Sequence, residues 1–147
     1  MQLELENQSL RNELVALRRF IDSMQNLSEA VDRPRTDDEI MDLLDDVLIN
    51  ARRAINAKDG SLLVLDDDTN ELVFVICQGD IPQDKLAWRR VPPGEGIAGW
   101  VVNERRATIV NNVGTDARFW ENIDAELDFA TNSMLAAPVI GGGRVLG

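Results

Sequence analysis

Chemistry in this chain would have to come from a short set of residues. They are Cys77, the run Asp66-Asp67-Asp68, Glu95 between two glycines, and the spacing Gly94-x-Gly96-x-x-Gly99. The sequence has no histidine. A Ser–His–Asp or Cys–His nucleophile therefore cannot be assembled within it, nor can a histidine-ligated zinc or haem site. Cys77 is the one cysteine, so no internal disulfide forms, which fits a reducing compartment. It lies in the apolar run Leu72-Val73-Phe74-Val75-Ile76-Cys77, where a buried inert thiol is favoured over a reactive one. The three aspartates lack the alternating ligands, central glycine and distal glutamate of a calcium loop, so they read as a solvated turn. Glu95 could serve as an acid, but its flanking glycines suit a tight loop equally well. The glycine spacing resembles a dinucleotide fingerprint only superficially, because two prolines precede it and no parallel βαβ unit surrounds it. No metal, no cofactor and no enzymatic activity are expected.

The totals narrow the class further. The chain has 147 residues, 44% hydrophobic and 28% charged, which suits one folded domain with an appendage. Its net charge of −11 disfavours nucleic acid and anionic lipid as partners. No apolar stretch approaches a membrane span, and the N-terminus lacks a signal pattern. A cytoplasmic protein without direct membrane contact is expected.

The first 33 residues read as a coiled-coil helix. Leu3, Leu10, Leu17 and Met24 occupy one core position of a heptad, and Asn7, Leu14 and Ile21 the other. Glu6 and Glu13 flank the seam on one side and Arg11 and Arg18 on the other, five residues later. In a parallel pair these meet as opposite charges, and Asn7 selects register and two strands. A homodimer through this helix is expected. Phe20 and Leu27 widen the apolar face toward its end.

Arg33-Pro34-Arg35 should break that helix. Thr36 to Glu39 has capping-box spacing, and Ile40, Leu43, Leu44, Val47, Leu48, Ala51 and Ile55 make one apolar stripe of a second helix ending near Lys58-Asp59-Gly60. Leu62–Leu65 and Leu72–Cys77 read as a hairpin around Asp66–Asn70. A third extended stretch is expected at Leu86–Val91, then a loop at 92–96 and a short helix over Ile97 to Val102 that ends near Glu104-Arg105-Arg106. Thr108–Val110 reads as a strand, Gly114–Glu126 as a loop with a short helix, and Ser133–Ile140 as a strand. Gly141-Gly142-Gly143 is a turn, after which Arg144–Gly147 begins another strand.

Several of these segments together are familiar. Val91-Pro92-Pro93-Gly94-Glu95-Gly96-Ile97-Ala98-Gly99-Trp100-Val101 resembles the mid-domain signature of GAF domains. Thr108 to Val113, Asp116-Ala117-Arg118-Phe119, Asn132 to Val139 and Gly143 to Gly147 complete the likeness in order. It implies an α+β fold over residues 34–147: an antiparallel sheet flanked by helices, with a small-molecule pocket, dimerised through flanking helices. It also implies a further strand beyond Gly147, so the sequence reads as lacking that C-terminal strand. Such domains serve as sensory or regulatory modules of kinases, cyclases and transcriptional activators. Many are dimerisation units without a known ligand.

The pocket implied by the resemblance has Trp100, Phe119 and Trp120 as candidate walls. Asn112, Asp116, Asp124, Thr131 and Ser133 are candidate hydrogen-bonding groups. For Trp100 and Phe119 a role in the core competes with that reading, and Ser133 could simply pair with local backbone. The cyclic-nucleotide pattern of the family is broken: Val113 follows Asn112 in place of lysine, and Asp124 and Ala125 are out of step with Phe119. The Cys-His pair of bilin-binding members is absent. Sulfoxide reductases that share this fold depend on several cysteines, and this chain has one.

Overall fold

The structure is a computed structural model describing residues 2–31 and 36–147; side chains are described for 2–15, 17, 18, 21, 22 and 36–147. It divides into two compact units, Met1–Gly60 and Ser61–Gly147. Among the described residues no helix is long and apolar enough to cross a membrane.

The first unit holds two helices. α1 (Gln2–Val31) runs the length expected from the heptads. Its seam faces solvent: Leu3, Leu10, Leu14, Leu17 and Ile21 are each 46–77% exposed, and Asn7 is exposed with them. The side chains of Phe20, Met24 and Leu27, and the break at Arg33-Pro34-Arg35, lie outside the described residues.

α2 (Asp37–Ala54) starts at the capping box. The Glu39 amide donates to Thr36 Oγ1 (3.4 Å), and the Thr36 amide donates to Glu39 Oε2 (2.9 Å). Asp37 and Asp38 add charge at the positive end of the helix dipole. The helix ends earlier than the basic turn before Gly60 implies. Asn56 takes a left-handed conformation (φ 54°), its amide donates to Arg53 O (3.3 Å), and the Ala57 amide donates to Arg52 O (2.9 Å). These two bonds close the last turn with asparagine in the position glycine usually holds.

The second unit carries β1 (Gly60–Leu65), β2 (Leu72–Gln78), α3 (Gln83–Leu86), β3 (Arg90–Val91) and α4 (Gly96–Glu104). β4 (Thr108–Val110), a 3₁₀ turn at Val113–Thr115, α5 (Asn122–Leu127), β5 (Met134–Ala136), β6 (Ile140–Gly141) and β7 (Arg144–Val145) follow. The strands form three small sheets: β1-β2-β3, β4-β5 and β6-β7. The Leu65 amide donates to Leu146 O (2.8 Å), so the end of the chain runs beside β1.

The three-aspartate turn is built by one of its members. Asp66 Oδ1 accepts from the amides of Asp68 (3.0 Å) and Thr69 (3.2 Å), which leaves Asn70 at φ 57° to return the chain into β2. Arg90 reaches across from β3 to Asp66 (2.9 Å) and Glu71 (2.7 Å) and ties the turn to the third strand.

Two expected strands are shorter than their composition implies. Within Leu86–Val91, Leu86 ends α3 and only Arg90–Val91 is strand. Trp88 and Arg89 both face Phe74: the Trp88 amide donates to Phe74 O (2.8 Å) and the Phe74 amide to Arg89 O (3.0 Å). That is a bulge, with Trp88 at φ 69° where glycine is usual. Ser133–Ile140 is likewise split into β5 and β6, because Pro138 has no amide hydrogen with which to continue a ladder. Gly142 and Gly143, both at positive φ, then make the tight β6–β7 turn.

The Gln83 side chain completes the edge of β2. Its Oε1 accepts from the Cys77 amide (2.6 Å) and its Nε2 donates to Val75 O (3.0 Å), as a neighbouring strand would. Cys77 itself is buried, and burial pushes its thiol pKa up while a hydrogen bond with Ser61 pulls the other way.

The core beneath α4 is Ile97, Val101, Val110 and Val113, each at most 5% exposed. Helix and preceding loop meet at Gly99. A Cβ built there would stand 2.5 Å from the Gly94 carbonyl carbon and 2.9 Å from its Cα, so only glycine fits. Gly94 (φ 76°) and Gly96 (φ 70°) make the turn into the helix. The dinucleotide-like spacing is thus a backbone requirement of the loop–helix junction. Gly99→Ala should destabilise the protein by about 1–3 kcal/mol, the usual range for overpacking. Denaturant unfolding measures this, and an unchanged midpoint would contradict the close approach.

Candidate ligand site

α4 places one aromatic residue at the centre of the site. Ile97 and Val101 point into the core, so Trp100, on the same short helix, is left half-buried at its edge. Trp100 and Phe119 pack against the same cluster of Ile97, Val101, Val110 and Val113. Trp120 lies at the start of α4, where a Cβ on Gly96 would sit 3.2 Å from the Trp120 Cβ. The three aromatic residues expected as pocket walls thus gather around one helix, and two of them also serve the core.

Asp116 reaches the same place through an arginine. Its Oδ1 accepts from the Arg118 amide (2.9 Å) and from Nε (2.9 Å), and its Oδ2 accepts from Nη2 (2.7 Å). The guanidinium held this way rests over the Trp100 ring, 4.4 Å from its centroid. The Arg106 guanidinium lies over the same ring at 5.3 Å. Both fall within the range of cation–π attraction. The bonds from the Arg118 side chain and amide hold the Asp116 carboxyl down at about 2.

The remaining candidates are placed elsewhere. Asn112 caps the 3₁₀ turn, its Oδ1 accepting from the Gly114 amide (3.1 Å). The Val113 amide donates to Asn132 O (3.0 Å), so Asn112 and exposed Ser133 flank the end of the β4–β5 pair. Asp124 and Thr131 are joined directly, the Thr131 amide donating to Asp124 Oδ2 (2.7 Å). The side-chain acceptors of Asn112, Asp116 and Asp124 are therefore engaged within the fold. None of the eight expected residues lines the cleft of about 330 Å³ between the β1–β2 turn and α4. That cleft is walled by Leu65, Leu72, Val102 and the loop Pro92–Gly94, with Asn70 and Asn103 as its polar groups.

The two arginines over Trp100 were not among the residues expected from sequence. Asp116-x-Arg118 carried a signal, since an acid and a base two apart in a loop can close on each other. Arg106 carried none, because a cation after a helix C-terminus ordinarily reads as a complement to the helix dipole.

Asp116 yields a pH prediction. Its pKa is depressed in the folded state, so its contribution to stability is present above the unfolded value near 3.8 and is lost as pH falls through about 2. Asp116→Asn should therefore be less stable than wild type at neutral pH, with the gap closing below about pH 4. Urea unfolding across pH measures this, and a gap independent of pH would contradict the pairing.

A sequence model of the GAF domain matches residues 37–147. Among solved structures, the chain is similar to the GAF domain of a phosphoenolpyruvate-protein phosphotransferase from Coxiella burnetii, with a TM-score of 0.70 and 22% identity over 89% of this chain and 74% of that one. The GAF domain of nlh2 from A. aeolicus, in an inactive state, gives 0.61 and 18% over 89% and 76%. The free methionine-R-sulfoxide reductase of Neisseria meningitidis, in complex with its substrate, gives 0.57 and 20% over 72% and 57%. At these identities the structural likeness is one of fold, and it includes both GAF domains and an enzyme. The family match spans most of the chain and all of the second unit, so the chain belongs to the GAF domain family.

Proposed function

We propose that this protein is a sensory module that binds a small molecule at the α4 aromatic cluster and signals through a parallel dimer of α1. The observation that carries the reading is the exposed seam of α1. Five large apolar residues at heptad positions stand in water on a helix that precedes a GAF domain. Burying one leucine side chain is worth about 1.5–3 kcal/mol, so such a stripe strongly favours a partner helix. The flanking charges Glu6, Arg11, Glu13 and Arg18 fit a second copy in parallel register. A ligand acts on such a pair if it binds one arrangement of the protomers better than another.

The module works by binding and not by catalysis. Its single thiol is buried with a raised pKa, the opposite of what activates a cysteine nucleophile. The surplus of 26 acidic over 15 basic residues supports neither nucleic acid nor an anionic membrane as partner. A cytoplasmic setting agrees with the free cysteine. A second reading, dimerisation without a ligand, is favoured by one observation: Asn112, Asp116 and Asp124 already use their acceptors internally.

Two measurements test the dimer and the ligand in turn. Replacing Leu14 and Leu17 by Lys should convert dimer to monomer in sedimentation velocity; a dimer that persists removes the α1 interface. A thermal-shift screen of the intact chain against metabolites should raise Tm for at least one compound, since a ligand of the folded state must stabilise it. A screen without any shift favours the ligand-free reading.

A further inference from the structure

We infer that the ligand of the Trp100 site carries an oxyanion, a carboxylate or phosphate group, which Arg106 and Arg118 receive together. This rests on the sensory reading above and specifies the class of molecule sensed.

The first support is a local imbalance of charge. The chain has a surplus of carboxylates, and in the second unit they are matched to most of its arginines. Arg89 pairs with Glu126, Arg90 with Asp66 and Glu71, Arg118 with Asp116, and Arg144 with Asp67. Among the described residues, Arg105 and Arg106 form no ion pair. At Trp100 two guanidiniums are therefore accompanied by one carboxylate, Asp116, which is bound to Arg118 alone. They lie 4.4 and 5.3 Å from the centroid of one ring, which brings two like charges within about 10 Å, one Debye length at ordinary ionic strength. In a protein of net charge −11 a second carboxylate at this point was readily available. An anionic ligand supplies it instead.

The second support is how each arginine is held. Asp116 takes Nε and Nη2 of Arg118, and Nη1 has no hydrogen-bond partner among the described residues. That guanidinium is fixed before a ligand arrives, and donors remain. Arg106 is delivered by the backbone. Arg105 adopts φ 53°, a left-handed conformation that glycine takes without strain, and the Arg106 amide then donates to Val101 O (3.3 Å). The turn brings Arg106 back over Trp100. Helix-end electrostatics explain a cation here but not its approach to a ring that Arg118 also covers. A guanidinium fork matches the two oxygens of a carboxylate or the tetrahedral oxygens of a phosphate, and the indole face excludes water from one side of the contact.

Calorimetry on the intact chain tests this with inorganic phosphate and with succinate, against neutral succinamide. One of the two anions should bind and succinamide should not; which anion binds identifies the group. Arg106→Ala should weaken that binding at least about tenfold. Arg106→Lys keeps the charge and loses the fork, so it should also weaken binding while leaving the Tm of the free protein unchanged. Arg144→Ala, a pair remote in sequence, should bind as wild type. Failure of both anions, or equal binding by wild type and Arg106→Lys, overturns the oxyanion assignment. If both anions fail while the metabolite screen yields a neutral ligand displaced by Trp100→Ala, the sensory reading stands without it. If neither anions nor any metabolite bind, both readings fall.

Discussion

The second unit depends on the close approach of two backbone segments at Gly94 and Gly99. The loop Pro92–Gly96 lies so near α4 that no Cβ can intervene. This contact fixes the helix against the loop that enters it. Once α4 is seated, Ile97 and Val101 fill the core with Val110 and Val113, and Trp100 is set at its edge. Phe119 and Trp120 then have one place to pack. The prolines and glycines just before the helix are therefore the condition for the site as much as for the fold. Their residue types follow from conformation and clearance, without any call on chemistry from Glu95 or the glycine spacing.

Electrostatics shape the unit at two points. At the β1–β2 turn, Asp66 accepts two backbone amides and meets Arg90, which stitches three strands together. Bonds of that kind lower the Asp66 pKa, the Arg90 side chain contributing most. At the edge of α4, Asp116 fixes Arg118 over Trp100, but a second arginine arrives without a carboxylate. The first arrangement is satisfied within the fold. The second leaves the Arg106 charge without a carboxylate among the described residues.

Much of this was legible in the sequence where the signal is local. The capping box at Thr36, the hairpin around Asp66 and the start of α4 all follow from residue type at fixed spacing, and so does the heptad of α1. What escaped has a physical reason in each case. Asn56 ends α2 and Trp88 makes a bulge because both adopt left-handed conformations, which no pattern of polarity announces. Pro138 divides a run that is apolar from Met134 to Ile140, and there the absent amide outweighed the hydrophobic pattern. Arg106 and Arg118 reach Trp100 from six and eighteen positions along the chain, so their meeting is a tertiary event. Of the eight residues expected at the site, the aromatic ones and Asp116 converge on α4. Asn112 and Ser133 belong to the turn and strand end beyond it, Asp124 to α5 and Thr131 to the segment that follows α5.

The proposed readout of second-unit occupancy by α1 is tested by distances between spin labels on the two copies of α1. A label at Gln8→Cys in a Cys77→Ala background gives one inter-protomer distance, measured without ligand and with phosphate or succinate at saturation by calorimetry. A single short distance is expected in the free dimer and a shifted or narrowed distribution in the bound one. The same distribution in both states, or no inter-protomer distance at all, would contradict it.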